Sequence, residues 1–106
     1  MDLPAVSFLI VNFNGIAFLD ACLASIYENV KISFEIILVD NNSSDGSVEY
    51  VRKNYPSVIL VQSNTNLGFT GGNNLGAEHA SGKYLILLNN DTKLLGDVRK
   101  IIMRLS

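Results

Sequence analysis

The chain has 106 residues, of which 48% are hydrophobic and 17% are charged, and its formal net charge at neutral pH is −2. This length suits one domain with one hydrophobic core, and the charged fraction lies below the roughly 25% of an average soluble domain. A weakly acidic chain without clustered Lys and Arg is not expected to bind nucleic acid or anionic lipid.

The single cysteine, Cys22, cannot form an internal disulfide, and its place in an apolar helical pattern predicts a buried, unreactive thiol. No stretch approaches the roughly 18 continuous apolar residues of a membrane span, and the N-terminal sequence has neither a basic leader nor a cleavage site. We therefore predict a cytoplasmic protein, which would reach the inner face of a membrane only through segments outside this sequence.

The first half of the chain predicts two buried strands, each followed by a helix. Residues 5–13 (AVSFLIVNF) and 34–40 (FEIILVD) are short runs rich in apolar and β-branched residues, as in strands covered on both faces. Apolar residues three and four apart predict a helix over 19–30, and the segment 43–55 predicts a second helix that Pro56 ends.

The second half continues the same alternation. Residues 57–62 predict a third strand, 64–82 form a glycine-rich passage that runs into a short helix, and 83–91 (KYLILLNND) predict a fourth buried strand. Apolar residues at helical spacing over 98–105 predict a last helix, whose apolar face is still in phase at Ser106. We expect an α/β fold with a mainly parallel sheet between two helical layers, truncated from a longer protein.

Polar side chains stand at the carboxyl end of every predicted strand. They are Asn12 and Asn14, then Asp40, Asn41 and Asn42, then Gln62, Ser63 and Asn64, and finally Asn89, Asn90 and Asp91. Ligands of open α/β sheets bind outside these strand ends, and short amides and carboxylates suit hydroxyl groups, base edges and hard cations. We predict a nucleotide-like ligand there, while the alternative that each cluster only makes a turn stays open.

The two strand-end carboxylates have different expected roles. Asp91 can ligate Mg²⁺ or Mn²⁺, which use one or two protein carboxylates and take their other ligands from water and phosphates. Asp40 can accept hydrogen bonds from a ribose hydroxyl or a base imide. This interpretation requires both carboxylates to open onto one crevice.

Four glycines in the third βα connection, Gly68, Gly71, Gly72 and Gly76, give a weaker signal. Glycines allow backbone N–H groups to approach phosphate oxygens, and a helix N-terminus favours an anion. The alternative is a tight loop packed against the sheet. The spacing matches neither the dinucleotide fingerprint nor a P-loop.

Three blocks of the sequence together resemble a known family. They are VSFLIVNFNG with FLDACLASI, then FEIILVDNNSSDGSVEYV, then NLGFTGGNNLGAEHASGKYLILLNNDT. In order and spacing they are similar to the N-terminal half of family 2 glycosyltransferases with the GT-A fold, in particular rhamnosyltransferase-like members. The resemblance implies that residues 1–106 are one domain, the donor nucleotide-binding half, and that the acceptor half is absent.

The resemblance also implies a reaction. Such enzymes transfer a sugar, here expected to be a hexose, from a nucleoside diphosphate sugar to a saccharide or lipid-linked acceptor, with inversion and with Mg²⁺ or Mn²⁺ on the diphosphate. Polysaccharide biosynthesis is the expected setting. The general base comes from the acceptor half, beyond residue 106, so the fragment is expected to be inactive alone.

Site residues follow from the same resemblance. The base would be bordered by Val11, Asn12, Phe13 and Asn14, and Phe13 would be its stacking face. Asp40 would hydrogen-bond the base, and Asn42 would shape that pocket. The ribose and diphosphate would lie beside Gly71, Gly72 and Asn73. The segment 89–91 falls where the family has its D-x-D metal motif, but its first position is asparagine. Asp91 is therefore assigned to the metal, and Asn89 and Asn90 to ribose or supporting hydrogen bonds.

Two other functions remain open from the sequence. A non-catalytic nucleotide-sugar binding or interaction domain could use the same sheet. A fragment of an NAD-type dehydrogenase would use Asp40 at the same topological place, and would bind NADH without regard to divalent metal. We also expect self-association as a homo-oligomer, because truncation would expose apolar surface.

Overall fold

The computed structural model describes residues 3–96. Its elements in chain order are β1 (Val6–Asn12), α1 (Ile16–Asn29), β2 (Phe34–Asp40), α2 (Ser47–Asn54), β3 (Ile59–Gln62), α3 (Gly68–Ala77) and β4 (Tyr84–Asn89). The strict alternation of strand and helix is the predicted one. The helix predicted over 98–105 lies outside the described residues.

The four strands form one parallel sheet in the order β3-β2-β1-β4. The register places Asn12 opposite Asp40, Asp40 opposite Gln62, and Val11 opposite Asn89. The carboxyl ends of all four strands therefore meet at one edge of the sheet, called here the carboxyl edge. The predicted α/β fold with a parallel sheet is confirmed.

The two faces of the sheet carry different helices. Phe8, Ile10, Ile36 and Leu38 belong to one buried cluster with Leu19, Cys22, Leu23 and Ile26 of α1 and Val51 of α2. Because side chains alternate along a strand, Leu9 and Val39 point to the opposite face, where they contact Gly76 of α3. The molecule is therefore three layers thick, with α1 and α2 below the sheet and α3 above it.

The fourth strand is less buried than predicted. Ile86 and Leu88 are half-buried against the α1 side, whereas Leu85 and Leu87 are 45% and 50% exposed. Within residues 3–96, β4 lies at the end of the sheet, and α3 packs on β1 and β2 rather than on the same face of β4. The strand predicted to be buried is therefore only half-buried on one face and exposed on the other.

The described helices have 8 to 14 residues. Within residues 3–96, none combines the length and the apolar character that a membrane crossing requires. Cys22 is buried and free, as its position in the apolar pattern predicts.

Candidate functional site

Side chains at the ends of three strands are joined by a chain of hydrogen bonds at the carboxyl edge. Asn12 Nδ2 donates to Asp40 Oδ1 at 3.0 Å, and Asn90 Nδ2 donates to Asn12 Oδ1 at 2.9 Å. Asn12 is fully buried and Asp40 is 2% exposed. The structure thus brings together three of the predicted site residues, from β1, from β2 and from the turn after β4.

Asp40 is held on both of its oxygens. Its Oδ2 accepts a hydrogen bond from Ser43 N at 2.9 Å, in addition to the bond from Asn12 at Oδ1. A carboxylate offers about four lone-pair sites, so acceptor capacity remains. Asp40 and Asn42 both line a polar cavity of about 200 Å³ between the ends of β2 and β3.

The expected common crevice of Asp40 and Asp91 is not formed by this cavity. Its other lining residues are Ser43, Val48, Glu49, Gln62, Ser63 and Asn64, and Asp91 is not among them. The order of the strands explains this, because β1 separates the end of β2 from the end of β4. What connects the two ends is the buried amide of Asn12 between them.

The loops after β1 and β2 are fastened to each other. Asn14 N donates to Ser43 Oγ, and Ser44 N donates to Asn14 Oδ1, both at 2.8 Å. Asn14 and Asn42 have φ values of 51° and 69°, a left-handed conformation that asparagine tolerates better than most residues. These bonds fix the course of the loop that carries Phe13, whose side chain is 49% exposed.

Asp45 and Asn41 are two residues of this edge to which the sequence reasoning gave no binding role. Asp45 Oδ2 accepts from Ile16 N at 3.0 Å, and its Oδ1 accepts from Ser47 N at 3.0 Å, so one carboxylate ties the first turns of α1 and α2. Partial burial raises the pKa of Asp45, but the hydrogen bond from the Ser47 hydroxyl and the two backbone hydrogen bonds outweigh it, so the pKa lies below its usual value.

Asn41 performs the corresponding task for α3. Its Nδ2 donates to the carbonyl of Gly68 at 3.0 Å, and its Oδ1 accepts from Leu67 N at 3.3 Å. Asn41 is 1% exposed and also borders Gly72. The only sequence signal was its place directly after a buried strand, which a turn residue shares.

The predicted glycine-rich loop is largely helix. Gly71, Gly72 and Asn73 lie inside α3, whose first residue is Gly68 with a φ of 74°. A Cβ added at Gly72 would lie 2.7 Å from a methyl group of Val11. The missing side chain of Gly72 therefore lets α3 approach the sheet closely, although the segment is a helix and not the tight loop of the packing alternative.

Asp91 is exposed and follows β4 in a turn that is fastened to α1. Leu94 N donates to Ser25 Oγ at 2.9 Å, and Asn29 Nδ2 donates to the carbonyl of Leu94 at 3.0 Å. The charge of Asp91 acts on the thiol of Cys22 in α1. Burial raises the pKa of Cys22 to about 11, and the negative charge of Asp91 adds to this increase. Asp91 is therefore held near the middle of α1 and open to solvent.

The described residues supply only some of the ligands that a divalent cation needs. Among residues 3–96, no three His, Cys, Asp or Glu side chains converge on a point. Asp91 supplies one exposed carboxylate, and Asp40 is already engaged and buried. Since Mg²⁺ and Mn²⁺ bind to proteins through one or two carboxylates and take further oxygens from phosphates and water, this arrangement suits a cation that arrives with a diphosphate.

A second, larger cavity lies away from the carboxyl edge. It measures about 400 Å³ and is lined by Ala24, Tyr27, Glu28, Asn54, Tyr55, Pro56 and Ser57, between α1 and the end of α2. None of the predicted site residues lines it. Its aromatic walls belong to the contact between the two helices, because Asp20 of α1 accepts hydrogen bonds from both Tyr50 and Tyr55.

Comparison with solved structures assigns this architecture to the GT-A class of α/β folds. TarS of S. aureus, crystallised with UDP, superimposes with a TM-score of 0.80 at 22% identity, over 93% of this chain and 31% of that protein. A mannosyltransferase from Pyrobaculum calidifontis, crystallised with GDP-Man and Mn²⁺, gives a TM-score of 0.80 at 23% identity, over 90% of this chain and 30% of that one.

The chain belongs to glycosyl transferase family 2, whose family model matches residues 7–105. An uncharacterized glycosyltransferase of Haemophilus influenzae is 30% identical over 104 residues, which cover 92% of this chain and 40% of that protein. The resemblance seen in the sequence is thereby confirmed. The chain spans well under half the length of these relatives.

Proposed function

We propose that residues 1–106 form the donor half of a glycosyltransferase and bind a nucleoside diphosphate sugar along the carboxyl edge. The observation that carries this proposal is the hydrogen-bonded chain from Asn90 through Asn12 to Asp40. It places an exposed aromatic side chain, Phe13, and an exposed carboxylate, Asp91, on two loops that one buried amide connects. Such an edge offers a stacking face for a base and an anchor for a cation that neutralises a diphosphate.

In this proposal, the base stacks on Phe13 and directs a hydrogen-bond donor at the remaining acceptor capacity of Asp40. Other residues of the edge surround the nucleotide: Val11, Asn12, Asn14 and Asn42 at the base, Gly71, Gly72 and Asn73 beside the ribose and diphosphate, and Asn89 and Asn90 near the ribose. Support comes from the positions of these residues on the β1, β2 and β4 ends and on the first turns of α3.

Asp91 would hold Mg²⁺ or Mn²⁺ together with the diphosphate oxygens. When bound, the cation stabilises the negative charge that develops on a leaving nucleoside diphosphate, as a Lewis acid does. The exposure of Asp91 supports this role. So does the pairing of GDP-Man with Mn²⁺ in the Pyrobaculum mannosyltransferase, which shares the fold.

The remaining features of the reaction are part of the proposal. Transfer of a hexose with inversion needs a general base to deprotonate the acceptor hydroxyl, and we place that base outside residues 1–106. The fragment would then bind donor without transferring it. The proposed setting is polysaccharide biosynthesis in the cytoplasm, with a saccharide or lipid-linked acceptor and a homo-oligomeric assembly. Any contact with the inner face of the membrane would come from segments outside this sequence.

Nucleotide titrations followed by amide ¹H–¹⁵N shifts test this function. UDP, dTDP and GDP are each added with and without Mg²⁺, and at least one should shift residues around Phe13 and Asp40 and bind more tightly with the metal. Replacing Asp91 with alanine should weaken the metal-dependent binding by about tenfold, the worth of a charged contact.

The control is Glu78→Ala, which removes an exposed carboxylate just after the end of α3. It should leave both binding and metal dependence unchanged. No shift near Phe13 or Asp40 with any nucleotide would overturn the proposal. Tight NADH binding that ignores Mg²⁺ would favour the dehydrogenase alternative instead.

A further inference from the structure

Asn12 differs from the other residues proposed to border the base, because its side chain is engaged inside the protein on both sides. Its side chain is fully buried at the end of β1, the strand between β2 and β4. Its Nδ2 donates to Asp40 Oδ1 at 3.0 Å and approaches Ser43 Oγ at 3.3 Å. Its Oδ1 accepts from Asn90 at 2.9 Å, so both ends of the amide are engaged inside the protein.

An amide is suited to this position because it presents a donor and an acceptor on the same planar group. A carboxylate here would place a second negative charge beside Asp40, and an apolar side chain would leave buried polar atoms of Asp40 without their partner. Each unpartnered atom would cost about 1–3 kcal/mol. Among the described residues, Asn12 thus joins the β2 end and the turn after β4 through side-chain hydrogen bonds, in addition to the backbone pairing of the sheet.

Gly15 is part of the same arrangement. Its φ is −104°, which any residue adopts, so conformational freedom does not explain a glycine there. A Cβ at this position would instead overlap Asn90 Nδ2 and lie 2.5 Å from Asn12 Oδ1. The absent side chain leaves the space in which Asn90 reaches Asn12.

We propose that Asn12, with the space at Gly15, is a positioning residue that fixes the distance between the base end and the cation end of the donor site. The inference rests on the proposed function. Asp40 marks one end, and Asn90 precedes Asp91 at the other. A nucleoside diphosphate engages both ends only if their spacing matches its length, so the gain from the second contact depends on this buried link.

The measured quantity is the magnesium enhancement, the ratio of the nucleotide dissociation constant without Mg²⁺ to that with Mg²⁺. It is determined for the nucleoside diphosphate that binds the unmodified chain best. In Gly15→Ala and in Asn12→Leu the enhancement should fall by about fivefold or more, towards the value of Asp91→Ala, as expected when two sites lose their coupling. Affinity without Mg²⁺ should change much less.

Gly82→Ala is the matched control. A Cβ there would lie 2.6 Å from the backbone nitrogen of Ser7, a comparable conflict at the opposite edge of the sheet. The control should lose thermal stability while keeping the full magnesium enhancement. The side-chain amide resonances of Asn12 and Asn90 should shift in Gly15→Ala and not in Gly82→Ala, which reports the broken link without any ligand.

The outcomes separate the two proposals. If the unmodified chain binds nucleotide with a magnesium enhancement that folded Gly15→Ala retains in full, the positioning role is overturned and the donor site stands. If the unmodified chain binds no nucleotide, the donor site fails and the positioning role fails with it. Should Asn12→Leu not fold, Gly15→Ala alone decides, since it deletes no hydrogen-bonding group.

Discussion

Glu35 illustrates how a single carboxylate fastens the amino edge of the sheet. Its oxygens accept hydrogen bonds from Ser7 Oγ at 2.6 Å, Ser81 N at 2.7 Å and Ser81 Oγ at 3.0 Å. Ser7 Oγ in turn accepts from Gly82 N at 2.8 Å. Partial burial raises the pKa of Glu35, but the hydrogen bonds outweigh it and the pKa lies below its usual value.

A depressed pKa in the folded state has a definite sign for stability. The contribution of Glu35 to the free energy of unfolding is fully present above the unfolded-state pKa of about 4.3 and is lost as pH falls through the lower folded-state pKa. Glu35→Gln should therefore reduce the free energy of unfolding by about 1–3 kcal/mol at pH 7 and by clearly less near pH 3. Urea unfolding at the two pH values, with exposed Glu78→Gln as control, measures this; an equal loss at both would contradict it.

The sequence predicted that polar residues lie at the strand ends, but it did not predict their hydrogen-bond partners. Asn12 and Asn90 are 78 positions apart, and only the sheet order, which puts β4 beside β1, brings their amides together. Nothing local distinguishes Asn12, with a buried link, from exposed Asn14 two residues later. The direction of each side chain follows from register, which the short pattern does not determine.

At the scale of elements, α3 depends on glycines that a helix would normally avoid. A Cβ on Gly76 would lie 2.7 Å from Leu9 Cδ1 and 2.9 Å from Val39 Cγ2. Alanine would gain about 1 kcal/mol of helix propensity at such a site, whereas overpacking a dense core costs about 1–3 kcal/mol. Because both contacts are on central strands, we expect the steric cost to prevail.

Gly76→Ala should therefore lower the free energy of unfolding by about 1–2 kcal/mol, as measured by urea denaturation. The matched control is Asn74→Ala on the same helix, at an exposed position, which should be neutral or slightly stabilising through propensity alone. A stabilised Gly76→Ala variant would show that α3 can move away from the sheet at little cost.

The elements themselves were largely predictable, and the exceptions have tertiary causes. Apolar runs and helical spacing located the four strands and the first two helices within a few residues. The glycines of α3 suggested a loop, because helix propensity opposes them and only the contacts with Val11, Leu9 and Val39 explain their use. The burial of β4 was overestimated because an apolar run does not reveal whether a helix covers each face of the strand.

At the scale of the whole molecule, the parallel sheet and the convergence of polar residues at its carboxyl edge follow from the βα alternation, while the outer limit of the sheet does not. β4 pairs with β1 on one side, and the described residues place no strand on its other side. An edge strand with exposed leucines can pair with another polypeptide, and a second copy of this chain offers the same strand edge.

We therefore expect this chain to self-associate through the β4 edge in a concentration-dependent way. Leu87→Lys places a charge on the exposed face of that strand and should shift the sedimentation profile towards monomer by about tenfold in dissociation constant, without lowering the thermal midpoint. Leu3→Lys is the control, because Leu3 is also exposed but precedes β1. If both variants remain associated like the unmodified chain, the contact lies elsewhere. If the unmodified chain is monomeric at all concentrations, the prediction of self-association is wrong.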